Sequence, residues 1–155
     1  MQWFKTVKAT PEKVSEAMKY YYAELEEAKK ETNLKNFTML QQGVATISSY
    51  FEQRLDQRCD IDAIYNLFEN QVKRKRAEIT QRILDKYPRA LNSSDLKMFV
   101  DGDNGMIVLA DMLNELNFIR AKYDAVLKSF EVAQWQLTNL VKLQCAGLDG
   151  ALMPM

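Results

Sequence analysis

The chain has 155 residues, 47% hydrophobic and 27% charged, and its 21 cationic and 21 anionic side chains cancel. That length and balance suit a globular domain that can bury a core, and they exclude a disordered chain. Histidine is absent, which removes the commonest general base, any Ser-His or Cys-His nucleophile within the chain, and a Cys/His zinc site.

Gly and Pro number only 5 and 3, too few for the many tight turns of an all-β fold. The abundant Ala, Leu, Glu, Lys, Gln and Met favour helix. The expected fold is all-α: a helical bundle with a long C-terminal helix or helical hairpin, oligomeric, forming one domain over 1–155. Within it, 10–57 reads as an N-terminal helical pair, 60–87 as a basic helix and 105–147 as a long C-terminal helical segment.

In chain order, "MQWFKTVKA" alternates weakly and reads as an extended arm. "TPEK" is a helix start, with Thr10 as N-cap, Pro11 at the first helical position and Glu12 in the first turn. Val14, Ala17, Met18, Tyr21, Leu25 and Ala28 then recur at helical spacing, and Asn33 is the expected stop. In "YYY", 20–22, Tyr21 falls on the apolar stripe, while Tyr20 and Tyr22 flank it as half-buried groups. A second helix is expected from about Asn36 to Gln57, striped by Leu40, Val44, Ile47, Phe51 and Leu55. Asp60 reads as the N-cap of a third helix, Ile61 to about Lys86, striped by Ile64, Phe68, Val72, Ile79 and Ile83 and ended by Pro88. "NSSDLKMFVDGDNG" is a connector with a short strand or single turn.

From Ile107 to Ala146 there is no Gly or Pro. Stepping by four and three from Met112 through Leu116, Ile119, Tyr123, Val126, Phe130, Ala133, Leu137 and Leu140 to Gln144, nine of ten positions are apolar. That 3.5-residue repeat is a coiled-coil seam. A helix of this length spans about 60 Å, too long for a small domain to cover. The expectation is therefore a break between Ser129 and Gln134, or a seam where copies meet through Met112, Leu116, Ile119, Tyr123, Val126, Phe130, Leu137 and Leu140.

The neutral total hides a pattern. Residues 1–70 carry a net −2, residues 71–97 a net +5 and residues 98–155 a net −3. At the centre of the basic island stands Lys73-Arg74-Lys75-Arg76, continued by Arg82, Lys86 and Arg89. Like charges four residues apart on a helix repel by a few tenths of a kcal/mol per pair, a cost a merely solvated face has no reason to carry. Cations along a helix neutralise phosphates and release their counterions. These seven residues are the candidate nucleic-acid-binding set, flanked by Val72 and Ile79 as docking positions. The alternatives are another anionic partner or an ordinary solvated surface.

Other motifs point away from chemistry. "DGDNG", 101–105, fails the EF-hand pattern, because Gly105, Met106 and Met112 stand at its fifth, sixth and twelfth positions; it reads as a tight turn capping the next helix. Asp101 and Asp103 have no apolar pocket to perturb them. Met98, Met106 and Met112 read as core filler, and Trp135, just off the seam, as a packing residue. No catalytic residue, cofactor or metal is expected. "MQWFKTVKAT" lacks the apolar core of a signal peptide, no apolar run approaches 18 residues, and Cys59 and Cys145 have no paired spacing. A cytoplasmic protein with free thiols and no membrane contact follows, its sequons at Asn36 and Asn92 idle.

The stretch "FVDGDNGMIVLADMLNELNFIRAKYDAVLKSFEVAQWQLTNLVKLQCAG" resembles the UvsY-type recombination mediators of tailed bacteriophages. The shared pattern is an acidic turn, a long helix with apolar steps, an aromatic-containing junction (Phe130 to Trp135), a short last helix and a Gly near the end, with a basic helical segment upstream. Family members carry more cations in the last helix than the single Lys142 here, which leaves "KRKR" as the main candidate. The resemblance implies a non-enzymatic protein in the host cell cytoplasm. It would form a homo-oligomer, possibly a ring, bind single-stranded DNA, and help load a recombinase in place of single-strand-binding protein. The rivals are a phage structural or packaging component (a connector or small terminase-like helical oligomer) and a helical protein-binding adaptor.

Overall fold

The computed structural model describes residues 2–34, 40–87 and 91–147. Every regular element among them is helical: α1 (Trp3–Ala9), a 3-10 turn (Pro11–Lys13), α2 (Val14–Glu31), α3 (Leu40–Lys86), α4 (Ser93–Asp101) and α5 (Asn104–Cys145). The all-α expectation holds. None of these helices is long and apolar enough to cross a membrane.

The N-terminal stretch is helix rather than an extended arm. Trp3, Phe4 and Val7 form one apolar edge, and Val7 is fully buried in the core. Thr10 does not cap with its side chain; Pro11 opens the 3-10 turn, and the regular helix begins only at Val14. The α2 stripe, including Tyr21, is buried as its spacing predicts, with Tyr20 and Tyr22 half-buried.

The largest departure is α3. In place of two helices meeting at Asp60 there is one helix of 47 residues, about 70 Å long. Neither Gly nor Pro occurs between residues 44 and 86, so nothing terminates it. The apparent break came from polar residues at core positions. The true inward face runs Ile47, Phe51, Arg54, Gln57, Ile61, Ile64 and Phe68, while Val44 and Leu55 are exposed. The expected helix start at Asn36 and the stop at Pro88 lie outside the described residues.

Antiparallel to α3 runs α5, unbroken through residues 129–134. Phe51 meets Phe130, Gln57 meets Tyr123, Asp62 meets Arg120 and Arg82 meets Asp103, each step forward on α3 matched by a step back on α5. Together α2, α3 and α5 form a three-helix body with α1 on its flank. The seam residues of α5 are consumed in this body. Leu116, Ile119, Tyr123, Val126, Phe130 and Leu137 are buried, and Met112 and Leu140 pack half-buried against the same cluster. Their assignment to contacts between copies is therefore corrected: the partner of the heptad seam is this chain's own α3 and α2. Burying each such side chain contributes about 1.5–3 kcal/mol, which no longer waits on a second molecule.

Beyond the body, α3 and α5 continue as a hairpin whose tip holds α4. Asn92 caps α4 by accepting from the Asp95 amide, so its sequon side chain is a capping group, and the connector is helix rather than strand. Asp103 caps α5, accepting from the Gly105 and Met106 amides, as the turn reading of "DGDNG" expects. A separate small core of Ile79, Val100 and Met106, with Val72 and Ile83 against it, holds the tip together. Of the three methionines read as filler, Met106 is buried and Met112 half-buried, but Met98 is exposed.

Candidate nucleic-acid interface

The four-cation run lies on α3 where it leaves the body for the tip. At 100° per residue its members point in different directions. Lys73 and Arg74 are exposed and face away from the hairpin. Lys75 turns to the docked side and is half-buried; its stem lies so close to α5 that a Cβ on Gly105 would come within 3.0 Å of Lys75 Cε. Arg76 reaches α4, where its guanidinium stands 3.2 Å from Asp101 Oδ1. The run is thus not a cationic arc lying wholly on the exposed side, because Val72 and Ile79 set the docked side close enough to claim Lys75.

Downstream, Arg82 pairs with Asp103 at 3.3 Å. Lys86 is exposed in the last turn of α3. Among the described residues, Lys73, Arg74, Lys75 and Lys86 have no acidic partner within bridging distance, whereas Arg76 and Arg82 each have one. Arg89 lies outside the described residues. Asp101 and Asp103, weighed as an acid–base pair, are taken up by these two pairs and by the α5 cap.

Two aromatic side chains missed in the sequence join this cationic end. Tyr87 and Phe99 stand 5.7 Å apart between ring centroids, tilted by 30°, and both are exposed. Nothing in the chain order pairs them, since they sit twelve residues apart. The available signal was spacing: Tyr87, four residues after Ile83, continues the α3 stripe. Trp135, expected to pack, is likewise 66% exposed.

The body is built around a polar core that sequence reasoning also missed. Arg54 is 2% exposed and is shared by Glu24 and Glu31 of α2, with Gln57 Oε1 accepting from it at 2.9 Å. The same Gln57 oxygen accepts from the Tyr123 hydroxyl of α5 at 3.0 Å, so one cluster ties all three helices. Burial works against the Arg54 charge, but its hydrogen bonds to Glu31 and Glu24 outweigh that and hold its pKa above the ordinary value. The hydrogen bond from Gln57, against the opposing effect of burial and with help from Arg54, holds Glu24 below the usual carboxylate range. One turn on, the Asp60 carboxylate caps α1 from another helix. It accepts from the Trp3 amide at 2.8 Å and the Phe4 amide at 3.1 Å, and also from the Tyr21 hydroxyl. Burial and the Asp60 hydrogen bond push Tyr21 well above its usual range. Asp60 is therefore a cap, but of α1 rather than of a third helix.

No group of three or more Cys, Asp or Glu among the described residues is placed to hold a metal ion. Both cysteines are exposed and free. Comparison with protein-family models, with curated proteins and with solved structures found no match.

Proposed function

We propose that this chain is a non-enzymatic, single-stranded-DNA-binding recombination mediator that helps load a recombinase in place of single-strand-binding protein, in the host cell cytoplasm. The observation that carries the DNA-binding part is the set of exposed cations without acidic partners, Lys73, Arg74 and Lys86, on a helix projecting from the body. Arg76 and Arg82 add to it. Their pairs with Asp101 and Asp103 are exposed, and such pairs are worth about 0–1 kcal/mol, so either guanidinium can exchange its carboxylate for a phosphate at small cost. The mediator role itself comes from the family resemblance. A homo-oligomer, possibly a ring, would repeat the modest charge of each tip and raise avidity. With the inner seam of α5 consumed, such assembly needs an outer surface.

The test is a salt titration of a labelled oligothymidylate. Affinity falls linearly on logarithmic axes, with a slope of about −0.7 for each phosphate neutralised on a single strand. Replacing Lys73, Arg74 and Lys86 together by Ala shallows that slope by about 2 and leaves helix content intact, since Ala is the better helix former. Unchanged affinity and slope would remove the assignment. Preference for duplex over single strand would favour the packaging component instead.

A second reading, a helical protein-binding adaptor, is favoured by one observation. Phe118, Val132 and Trp135 are 53%, 47% and 66% exposed on the outward side of α5. It predicts no oligonucleotide affinity at any salt concentration.

A further inference from the structure

The end of α3 and the adjoining α4 enclose an open recess of about 380 Å³, at the small end of the roughly 300–1,000 Å³ typical of ligand pockets. Tyr87 and Phe99 line it with exposed ring surface, Ile83 supplies apolar surface, and Arg82, Lys86 and Asp103 supply charge. Resting on the reading of this end as a single-strand interface, we propose that the recess is a nucleobase pocket, taking one unstacked base against Tyr87 and Phe99 while Lys86 and Arg82 hold the adjoining phosphates.

The two chemistries in the recess fit the two halves of a nucleotide. Aromatic rings left 41% and 45% exposed are costly to hydrate, and a base offers a flat face that stacks on either one whatever its sequence. At 5.7 Å between centroids the two rings already pack on each other, so a base stacks on their exposed surface rather than between them. The cations decide the orientation. Asp103 faces the recess too, tied at once to Arg82 and to the α5 amides. Its carboxylate repels a phosphate on the α5 side, which directs the backbone toward Lys86. A strand running from Lys86 toward Lys73 and Arg74 then winds about a third of a turn around α3 as it runs back toward the body, with its first base lodged at the tip. A duplex, whose bases are already stacked and paired, gains nothing from such a pocket.

The experiment compares two oligonucleotides of equal length, one of thymidines and one abasic, on the wild-type protein. The abasic strand should bind about 5- to 150-fold more weakly, the range for losing one stacked base. Tyr87→Leu and Phe99→Leu keep apolar bulk but remove the rings. Each should lose a similar factor for the thymidine strand and none for the abasic one, with an unchanged salt slope, because no charge is removed. Equal wild-type affinity for both strands overturns the pocket and leaves the phosphate-binding reading standing. Binding of neither strand overturns both. A loss that is equal for both strands in the Leu variants, duplex bound as well as single strand, or displacement by poly-glutamate as effective as by oligothymidylate would each sink the base pocket. The wild-type comparison needs no variant to fold.

Discussion

The body and the tip are built from the same two helices but held by opposite means. In the body, three helices and α1 surround a core whose centre is polar: Arg54, Gln57 and Asp60 occupy positions that apolar residues fill above and below them. At the tip, two helices and a short third close over three buried apolar side chains, with no fully buried charged group among the described residues. A buried charge cluster fixes register because any slip strands a charge; a thin apolar cluster fixes little but opens cheaply. The body is therefore suited to hold shape, and the tip to open.

The largest effect should come from breaking the polar centre. Arg54→Ala leaves Glu24 and Glu31 facing each other without their cation, and a loss of about 3–5 kcal/mol is expected from one-sided removal of a buried pair, read as a drop in the urea midpoint. Ile79→Ala should cost about 2–4 kcal/mol at its own site, but as local opening. Amide exchange should accelerate around residues 72–83 and 96–108, while the main melting transition, reported by the body, moves much less. A fully cooperative shift of the whole molecule would erase the distinction between the two regions. Asp60→Asn keeps the shape and loses the charge that caps α1. About 1–2 kcal/mol should go, with earlier proteolytic cleavage near Trp3 as the more sensitive readout.

Acid offers a gentler test. Glu24 has its folded pKa below its unfolded value. Its contribution is therefore present above the ordinary carboxylate range and is lost as pH falls through the folded value. Body stability should decline below about pH 4.5, and Glu24→Gln should flatten that decline. The smallest effect belongs to the tip's surface: Arg76→Ala should change stability by less than about 0.5 kcal/mol.

The division also explains what could be read in advance. Helical class, the α2 stripe, the apolar face of α5 and the Asp103 cap follow from spacing and local chemistry, and all are present. The unity of α3 was hidden because Arg54, Gln57 and Asp60 mimic a helix junction; only knowledge that Glu24, Glu31 and Tyr21 face them reveals core positions. The seam of α5 was legible as a seam but not as internal, since a 3.5-residue period does not say whether the opposing helix belongs to the same chain. At the candidate interface, the cations were visible as a run, whereas the docking of Lys75 against Gly105 and the meeting of Tyr87 with Phe99 depend on tertiary placement.

One uninterrupted backbone ladder from Leu40 to Lys86 has a mechanical meaning. With no proline or glycine along residues 44–86 to act as a hinge, α3 behaves as a lever. Arg54 sits about 30 Å along the axis from Lys75, so tension or torque applied at the far end arrives at the charged fulcrum instead of dissipating in a joint.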